Sequence, residues 1–426
     1  MHGNADVYLG GPLQFNDHLT SHGDMYHRRK DVNSIVGNAR IRDDDGVLQP
    51  MVIGGWPLDS ADPEWMTKSL ERWDGRVKTA AHAVSRLELP INPLDVPHDI
   101  IEHALPTGHA DYDAMTESEK FANKAALRIH VDASGNFTAT DFHGQDVTAR
   151  FNQAQLVESG AHAGNPTYEK DGDGHYTMAT PGSLDTTQQF TDLRENKTMA
   201  SVDIYVDQLL TAFPELYSGT TYGVDQGRGI VYVTRDDPDG AGGVQPVLRV
   251  RNGRDLPNGG LTFASDLPVY VEGNYNVDSG VKPGLVAADA VTLLSKAWQD
   301  ALSGSGIGSR VADSSTYNAV IMTGNTPTLP FEGSLGGQYN GGLENVLRFL
   351  ERWSGKTVTF RGSIIDIWFS EIAVGEWQYG HYYTAPNRDW GYDEMFRTAA
   401  PPGIPRVFGI EELAWSPSSW EDEGWD

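Results

Sequence analysis

The stretch Leu267-Pro268-Val269-Tyr270-Val271-Glu272-Gly273-Asn274-Tyr275-Asn276 constrains the fold more than any other part of this chain. Asp266–Pro268 is a turn signal and Val269-Tyr270-Val271 is a short β-prone run. Gly273-Asn274 then turns the chain before Tyr275-Asn276-Val277 resumes extended structure. A few residues of strand, a corner of small residues and another strand is the rhythm of a β-solenoid rung. The corner glycine supplies a positive φ that other residues adopt only with strain. Ile230–Val233, Val247–Val250 and Leu261–Phe263 precede this stretch as strands of similar length. The expected fold is mainly β: a right-handed β-solenoid-like core, or parallel β-helix, with a few packed α-helices and long loops.

Four segments follow from the pattern. Residues 1–55 read as β-rich N-terminal rungs and 56–190 as a mixed helix and loop insertion. Residues 191–410 read as the solenoid-like body with capping helices, and 411–426 as an acidic, Trp-rich tail. Within the insertion, Asp62 and Pro63 start a helix over 62–73 with Trp65, Met66, Leu70 and Trp73 on its apolar face. Thr116–Glu119 is a capping box for a helix near 117–126. Ser134-Gly135-Asn136 joins Leu127–Val131 to Phe137–Thr140 as a hairpin. Residues 150–190 are polar and Gly- and Thr-rich, and read as an exposed loop.

Two further helices are expected in the body. Val286, Ala290, Leu293, Leu294 and Trp298 fall on one face over 286–302. Leu343, Val346, Leu347 and Leu350 do so over 341–353, with Gly355 just beyond. The second helix, with Trp353, is expected to pack on the Phe360–Trp368 strands and to close the end of the solenoid.

Composition narrows the function classes. There are 59 acidic against 32 basic residues, a net charge of -27. Such a surface repels nucleic acid, whose phosphates need cationic partners, and anionic membrane surfaces. The chain contains no cysteine, which removes disulfides, thiolate catalysis and Cys-ligated zinc. No apolar run is long enough to span a bilayer. Met1 is followed by His2-Gly3-Asn4-Ala5-Asp6, neither a basic n-region nor an apolar h-region. The absence of cysteine suits an exported bacterial protein, so a cell-surface or extracellular location is expected, with any signal or anchor outside this chain.

Ordered blocks in the second half carry a resemblance. They include Gly260-Leu261-Thr262-Phe263-Ala264-Ser265-Asp266-Leu267-Pro268-Val269-Tyr270-Val271-Glu272-Gly273-Asn274-Tyr275-Asn276 and Gly342-Leu343-Glu344-Asn345. Further on come Arg348-Phe349-Leu350-Glu351-Arg352-Trp353-Ser354-Gly355-Lys356, Pro386-Asn387-Arg388-Asp389-Trp390-Gly391-Tyr392-Asp393 and Pro401-Pro402-Gly403-Ile404-Pro405. Their order resembles the soluble β-helical region of bacterial PilX-type, pilin-like pilus-assembly envelope proteins. The resemblance covers roughly residues 190–408, and 1–55 more loosely. It implies a non-enzymatic surface or pilus-associated structural protein that self-associates or meets pilus and envelope proteins. It supplies no catalytic residues, and the chain departs from it in having no hydrophobic pilin-like N-terminus.

His18, His22 and His27 have the spacing of metalloprotease ligands, but Leu19 stands where the general-base Glu belongs. His98, His103 and His109 with Asp111 and Asp113 have the donor types of a zinc site, set against solvated loop residues as the plainer reading. Asp171-Gly172-Asp173-Gly174 and Asp236-Asp237-Pro238-Asp239-Gly240 resemble calcium loops without the twelve-residue spacing ending in Glu, so turns are expected there. No cofactor is expected, calcium being the alternative. Trp377, Tyr379, Tyr382, Tyr383 and Trp390 are the candidates for stacking on sugar rings, with Glu371 and Glu376 as the nearby carboxylate pair. The plainer reading is that these aromatics cover the end of the body. A polysaccharide-binding or polysaccharide-degrading protein on a β-helix scaffold is therefore the alternative function.

Overall fold

The computed structural model describes residues 1–31, 35, 37–216, 229–238, 243–328, 339–378 and 380–407. The chain is mainly β and forms two compact units. The first is built on Met1–Pro90; the second is built on Ile91–Pro327 with Tyr339–Pro405. Residues 1–55 and the start of the segment 56–190 lie in the first unit, and residues 91–190 in the second. The acidic tail 411–426 lies outside the described residues.

Thirteen strands form the greater part of the second unit's two large sheets, and Leu184–Asp185 and Gln189–Asp192 add to one of them by antiparallel pairing with Lys197–Tyr205. In chain order they are β1 (Leu127–Val131), β2 (Phe137–Asp141), β3 (Lys197–Tyr205), β4 (Ile230–Arg235), β5 (Val244–Arg251) and β6 (Leu261–Ala264). There follow β7 (Val269–Glu272), β8 (Gly284–Ala288), β9 (Val291–Leu294), β10 (Ser315–Asn325), β11 (Leu347–Arg348), β12 (Thr357–Phe369) and β13 (Asn387–Gly391). From β3 to β12 the chain alternates strictly between the sheets. Odd strands pair in the order β3-β5-β7-β9-β11, even strands in the order β4-β6-β8-β10-β12, and every one of these pairings is parallel. β13 extends the even sheet at one end; the hairpin β1–β2, antiparallel as expected from Ser134-Gly135-Asn136, extends it at the other.

Register stacks like on like. Val202, Leu248, Val269, Val291 and Leu347 are successive partners across the odd sheet. Leu127, Val231, Phe263, Val286 and Ile321 do the same across the even one. Both columns belong to one buried core. All residues of β6, β7, β8 and β9 are buried, so neither face of these strands meets water. Parallel strands covered on both faces read as continuous apolar runs, which is why the alternation is faint in this part of the sequence.

Corners follow the small-residue signals. Gly273 has φ +83°, as its place after β7 requires. At Gly260, φ is +86° and an added Cβ would lie 2.1 Å from the Pro283 carbonyl oxygen, so only glycine fits beside the neighbouring corner. Tyr275-Asn276 is a stacked corner instead of a strand. Asn276 is buried with φ 57°, and its amide donates to the carbonyls of Lys282 (2.7 Å) and Asn318 (2.8 Å). Asn318 Nδ2 returns a bond to the Asn276 carbonyl at 2.9 Å.

Three expectations are corrected. The helix expected over 286–302 is β8, β9 and the short 3-10 turn Asp300–Leu302. Its apolar residues fit two short buried strands as well as one helix face, a known ambiguity of short apolar runs. The helix expected over 341–353 is one turn, Leu343–Val346, followed by β11. Leu347, Leu350 and Trp353 are buried and Leu343 is exposed, so this segment joins the odd sheet as its last strand instead of packing on the end as a helix. Residues 150–190 are not an exposed loop throughout: Tyr176 and Leu184 are buried, and Lys170 and Tyr176 lie over the outer face of the odd sheet.

In the first unit, short strands pair in parallel at an offset of 18 residues, His2 with Thr20 and Val7 with Met25. Trp65–Trp73 is a helix, close to the expected 62–73. It buries Trp65 and Trp73 against Leu9, Leu19, Met25 and Ile41, while Met66 and Leu70 face solvent. The other expected helix near 117–126 is two short ones, Ala114–Glu119 and Phe121–Lys124. Its cap is Asp113, whose carboxylate accepts from the Met115 and Thr116 amides.

Candidate functional site

The most concentrated chemistry lies on the outer face of the odd sheet. The register that stacks aliphatic residues inward stacks Asp203, Arg249, Tyr270, Thr292 and Arg348 outward. Arg249 donates to Asp203 at 2.8 and 2.9 Å and to Asp300 at 2.6 and 2.9 Å. Arg251 reaches Asp203 at 2.6 Å, Glu272 at 2.9 Å and Asp300 at 3.2 Å. Lys170 closes the group, 2.5 Å from Glu272. Three cations thus meet three carboxylates, with the Tyr176 hydroxyl donating to Glu272 at 2.6 Å. Burial alone would raise the Glu272 carboxyl, but Arg251 and Lys170 outweigh it and hold it below its usual range. Asp300 is likewise held down by Arg249 and Arg251 against its burial. Both Arg side chains are wholly buried. Charges so placed persist only when paired and fully hydrogen-bonded.

A cleft of ≈ 390 Å³ opens beside this network, lined by Tyr168, Gln188, Phe190, Thr191, Asp300 and Ser303. Its lining is mainly hydroxyl and amide groups with two aromatic rings. The one carboxylate there, Asp300, is committed to the two arginines.

A second polar group lies where the segment Pro97–Glu102 meets the turn after β8 and the end of β12. His98 is buried, with Nδ1 2.9 Å from Glu102 and 3.9 Å from Glu371, and Nε2 3.4 Å from Asp289. Burial opposes a charge on His98, yet the hydrogen bonds to Asp289 and Glu102 and the nearby Glu371 prevail, and its pKa rises to about 10. Asp289 also accepts the backbone N–H groups of Glu371, Ile372 and Ala373, which fixes that loop. On the other side of Glu102 are His103 and Asp266, whose carboxyl is raised to about 7 by burial.

The residues expected to form a metal site divide. His98 and His103 are drawn towards one shared partner, Glu102. His109 and Asp111 pair with each other at 3.7 Å and are exposed, outside both converging groups. Asp113 is the helix cap described above. His18 and His22 are exposed, and buried His27 accepts the Ala39 amide at 3.0 Å, so these three serve separate local roles. Asp171 closes its own turn by accepting the Asp173 and His175 amides, and Asp173 pairs with Arg254 at 2.5 Å.

The aromatic candidates are placed as follows. Tyr383 is buried against Phe349, and its hydroxyl accepts from Trp377 Nε1 at 2.8 Å. Trp377 and Trp390 are half-buried on the core, Trp390 beside Phe360 on β13. Tyr382 is half-buried beside the His381 ring, and Tyr379 lies outside the described residues. Glu371 and Glu376 are exposed.

Sequence reading missed the buried network and the roles of Glu102, Asp266 and Asp289. A signal for the first was present: Arg249-Val250-Arg251 and Val271-Glu272 put charges at every second position of otherwise apolar strands, which marks a polar but covered outer face. Comparison of the chain with family models, with curated proteins and with solved structures finds no match in any of the three.

Proposed function

We propose that the second unit is a β-solenoid-like body and that the protein is a non-enzymatic structural or assembly protein of the exported, cell-surface or pilus-associated class. The strict alternation of β3 to β12 between two parallel sheets is the observation that carries this reading. A path that adds one strand to each sheet per turn builds a stack whose residues are spent on neighbouring turns. The charged groups of the odd sheet fit the same reading, because each is neutralised by another. The pilus-associated setting rests on the resemblance of the ordered blocks to pilin-like envelope proteins.

A second reading, glycan binding, is favoured by the cleft beside the network, where Tyr168 and Phe190 stand among hydroxyl and amide groups. Binding fits that lining better than cleavage, since Asp300 is held ionised by two arginines and is no proton donor. The two readings are separated by a glycan array together with reducing-sugar release on acidic and neutral polysaccharides, and by in-cell cross-linking followed by identification of captured proteins. The structural reading expects no sugar release and capture of envelope or pilus components. Hydrolysis abolished by Glu371→Gln or Glu376→Gln would overturn it.

A further inference from the structure

We propose that the second unit binds one divalent transition-metal ion of the zinc class through His98 Nδ1, Glu102 and Glu371. The ligand atoms of these residues lie within 4.8 Å of one another. They come from separate places in the chain: the turn Pro97–Ile101, the residue after it, and the loop after β12. An ion there would tie the covering segment to the end of the even sheet.

Charge balance points to a cation. Glu102, Glu371, Asp266 and Asp289 surround His98 and His103, and among the described residues none of these four carboxylates is paired with a lysine or arginine. This contrasts with the odd-sheet network, where each carboxylate meets a permanent cation. The Asp266 Oδ1 atom is buried and has no hydrogen-bond partner, so the neighbourhood of Glu102 holds a spare acceptor as well.

The groups packed behind His98 hold it as a metal ligand needs. One nitrogen of His98 faces the two glutamates, and the other faces buried Asp289. A carboxylate on the far nitrogen fixes the tautomer and ring orientation of a ligating histidine. The edge of the His98 ring packs against Trp368 at 5.9 Å, which further limits its rotation. Glu371 is 64% exposed, so an ion can enter from solvent on that side. On binding, the ion replaces the Nδ1 proton of His98, which leaves to solvent. An imidazole with two carboxylates suits zinc and its neighbours, whereas calcium and magnesium favour all-oxygen sets. Three protein ligands leave a further position for water.

The test uses the full chain, stripped with chelator and titrated with Zn²⁺ by calorimetry, with Co²⁺ as the visible-absorption probe. The expected result is one Zn²⁺ per chain and Co²⁺ bands typical of low coordination. Both should be lost in Glu371→Gln and His98→Ala and kept in His103→Ala and His109→Ala. Asp289→Asn should weaken Zn²⁺ binding by about 10–100-fold. Because Glu371 is exposed, its variant keeps the test independent of folding, which circular dichroism checks. The proposal is overturned if Glu371→Gln binds Zn²⁺ as tightly as the parent, if His103→Ala alone removes the ion, or if Ca²⁺ displaces Zn²⁺ at equal concentration.

Discussion

Two buried carboxylates illustrate opposite solutions to the same problem. Glu351 is 1% exposed and forms no ion pair among the described residues; its oxygens accept from the Ser295 amide and hydroxyl, both at 2.6 Å. Burial raises its pKa to about 7, only partly offset by those bonds. An acid raised in the folded state binds its proton more tightly there than when unfolded. Stability therefore falls as pH rises from its ordinary value, about 4.3, to about 7, and is level above that. Glu351→Gln, permanently neutral, keeps an acceptor for one of the two Ser295 donors and should flatten part of that slope, exceeding the parent at pH 8 by less than about 3 kcal/mol. Urea unfolding across this range checks it; an unchanged slope would remove Glu351 from the account. Asp203 instead relies on two arginines. Asp203→Asn leaves one positive charge in excess in a dry site, with Asp300 and Glu272 still paired to the arginines, and should cost about 3–5 kcal/mol, with little dependence on salt. A loss under about 1 kcal/mol in denaturant unfolding would mean that water reaches the network. Neither carboxylate's role was legible in the sequence, because burial and partner distance decide it, and Asp203 finds Arg249 from 46 positions away.

At the level of elements, the hairpin β1–β2 and strands β4 to β7 were legible, since β-branched runs and turn residues agree there with the tertiary outcome. β8, β9 and the segment around β11 were not. Val286 to Leu294 satisfies a helical stripe, but Asp289 breaks it, turning its carboxylate to the 371–373 backbone. The stack chose between the two, because β8 and β9 each find a parallel partner on both sides. Leu347 tests the stacking directly. It ends the inward column through Val291, Val269, Leu248 and Val202 and is fully buried. Leu347→Ala should cost about 2–5 kcal/mol, seen as a lower urea midpoint with unchanged slope. A smaller loss, with the midpoint held, would place Leu347 in a site that collapses or is wet.

For the whole molecule, net charge sets the behaviour in solution. A balance of -27 spread over the surface repels itself in the folded chain, and salt screens that repulsion. The midpoint of thermal unfolding should accordingly rise between about 10 mM and about 500 mM sodium chloride, where the Debye length falls from about 30 Å to a few ångströms. A midpoint that falls with salt would show that favourable ion pairs outweigh the excess of acid. The sequence by itself determined the acidic surface, the absence of cysteine chemistry, the mainly β character and the corner positions. Each of these is fixed by residue type or by a few neighbouring residues. Tertiary structure decided which apolar runs became strands, which polar loop became a cover, and which charges met. Those outcomes depend on register between strands distant in the chain, and parallel pairing sets that register only when the whole stack is in place.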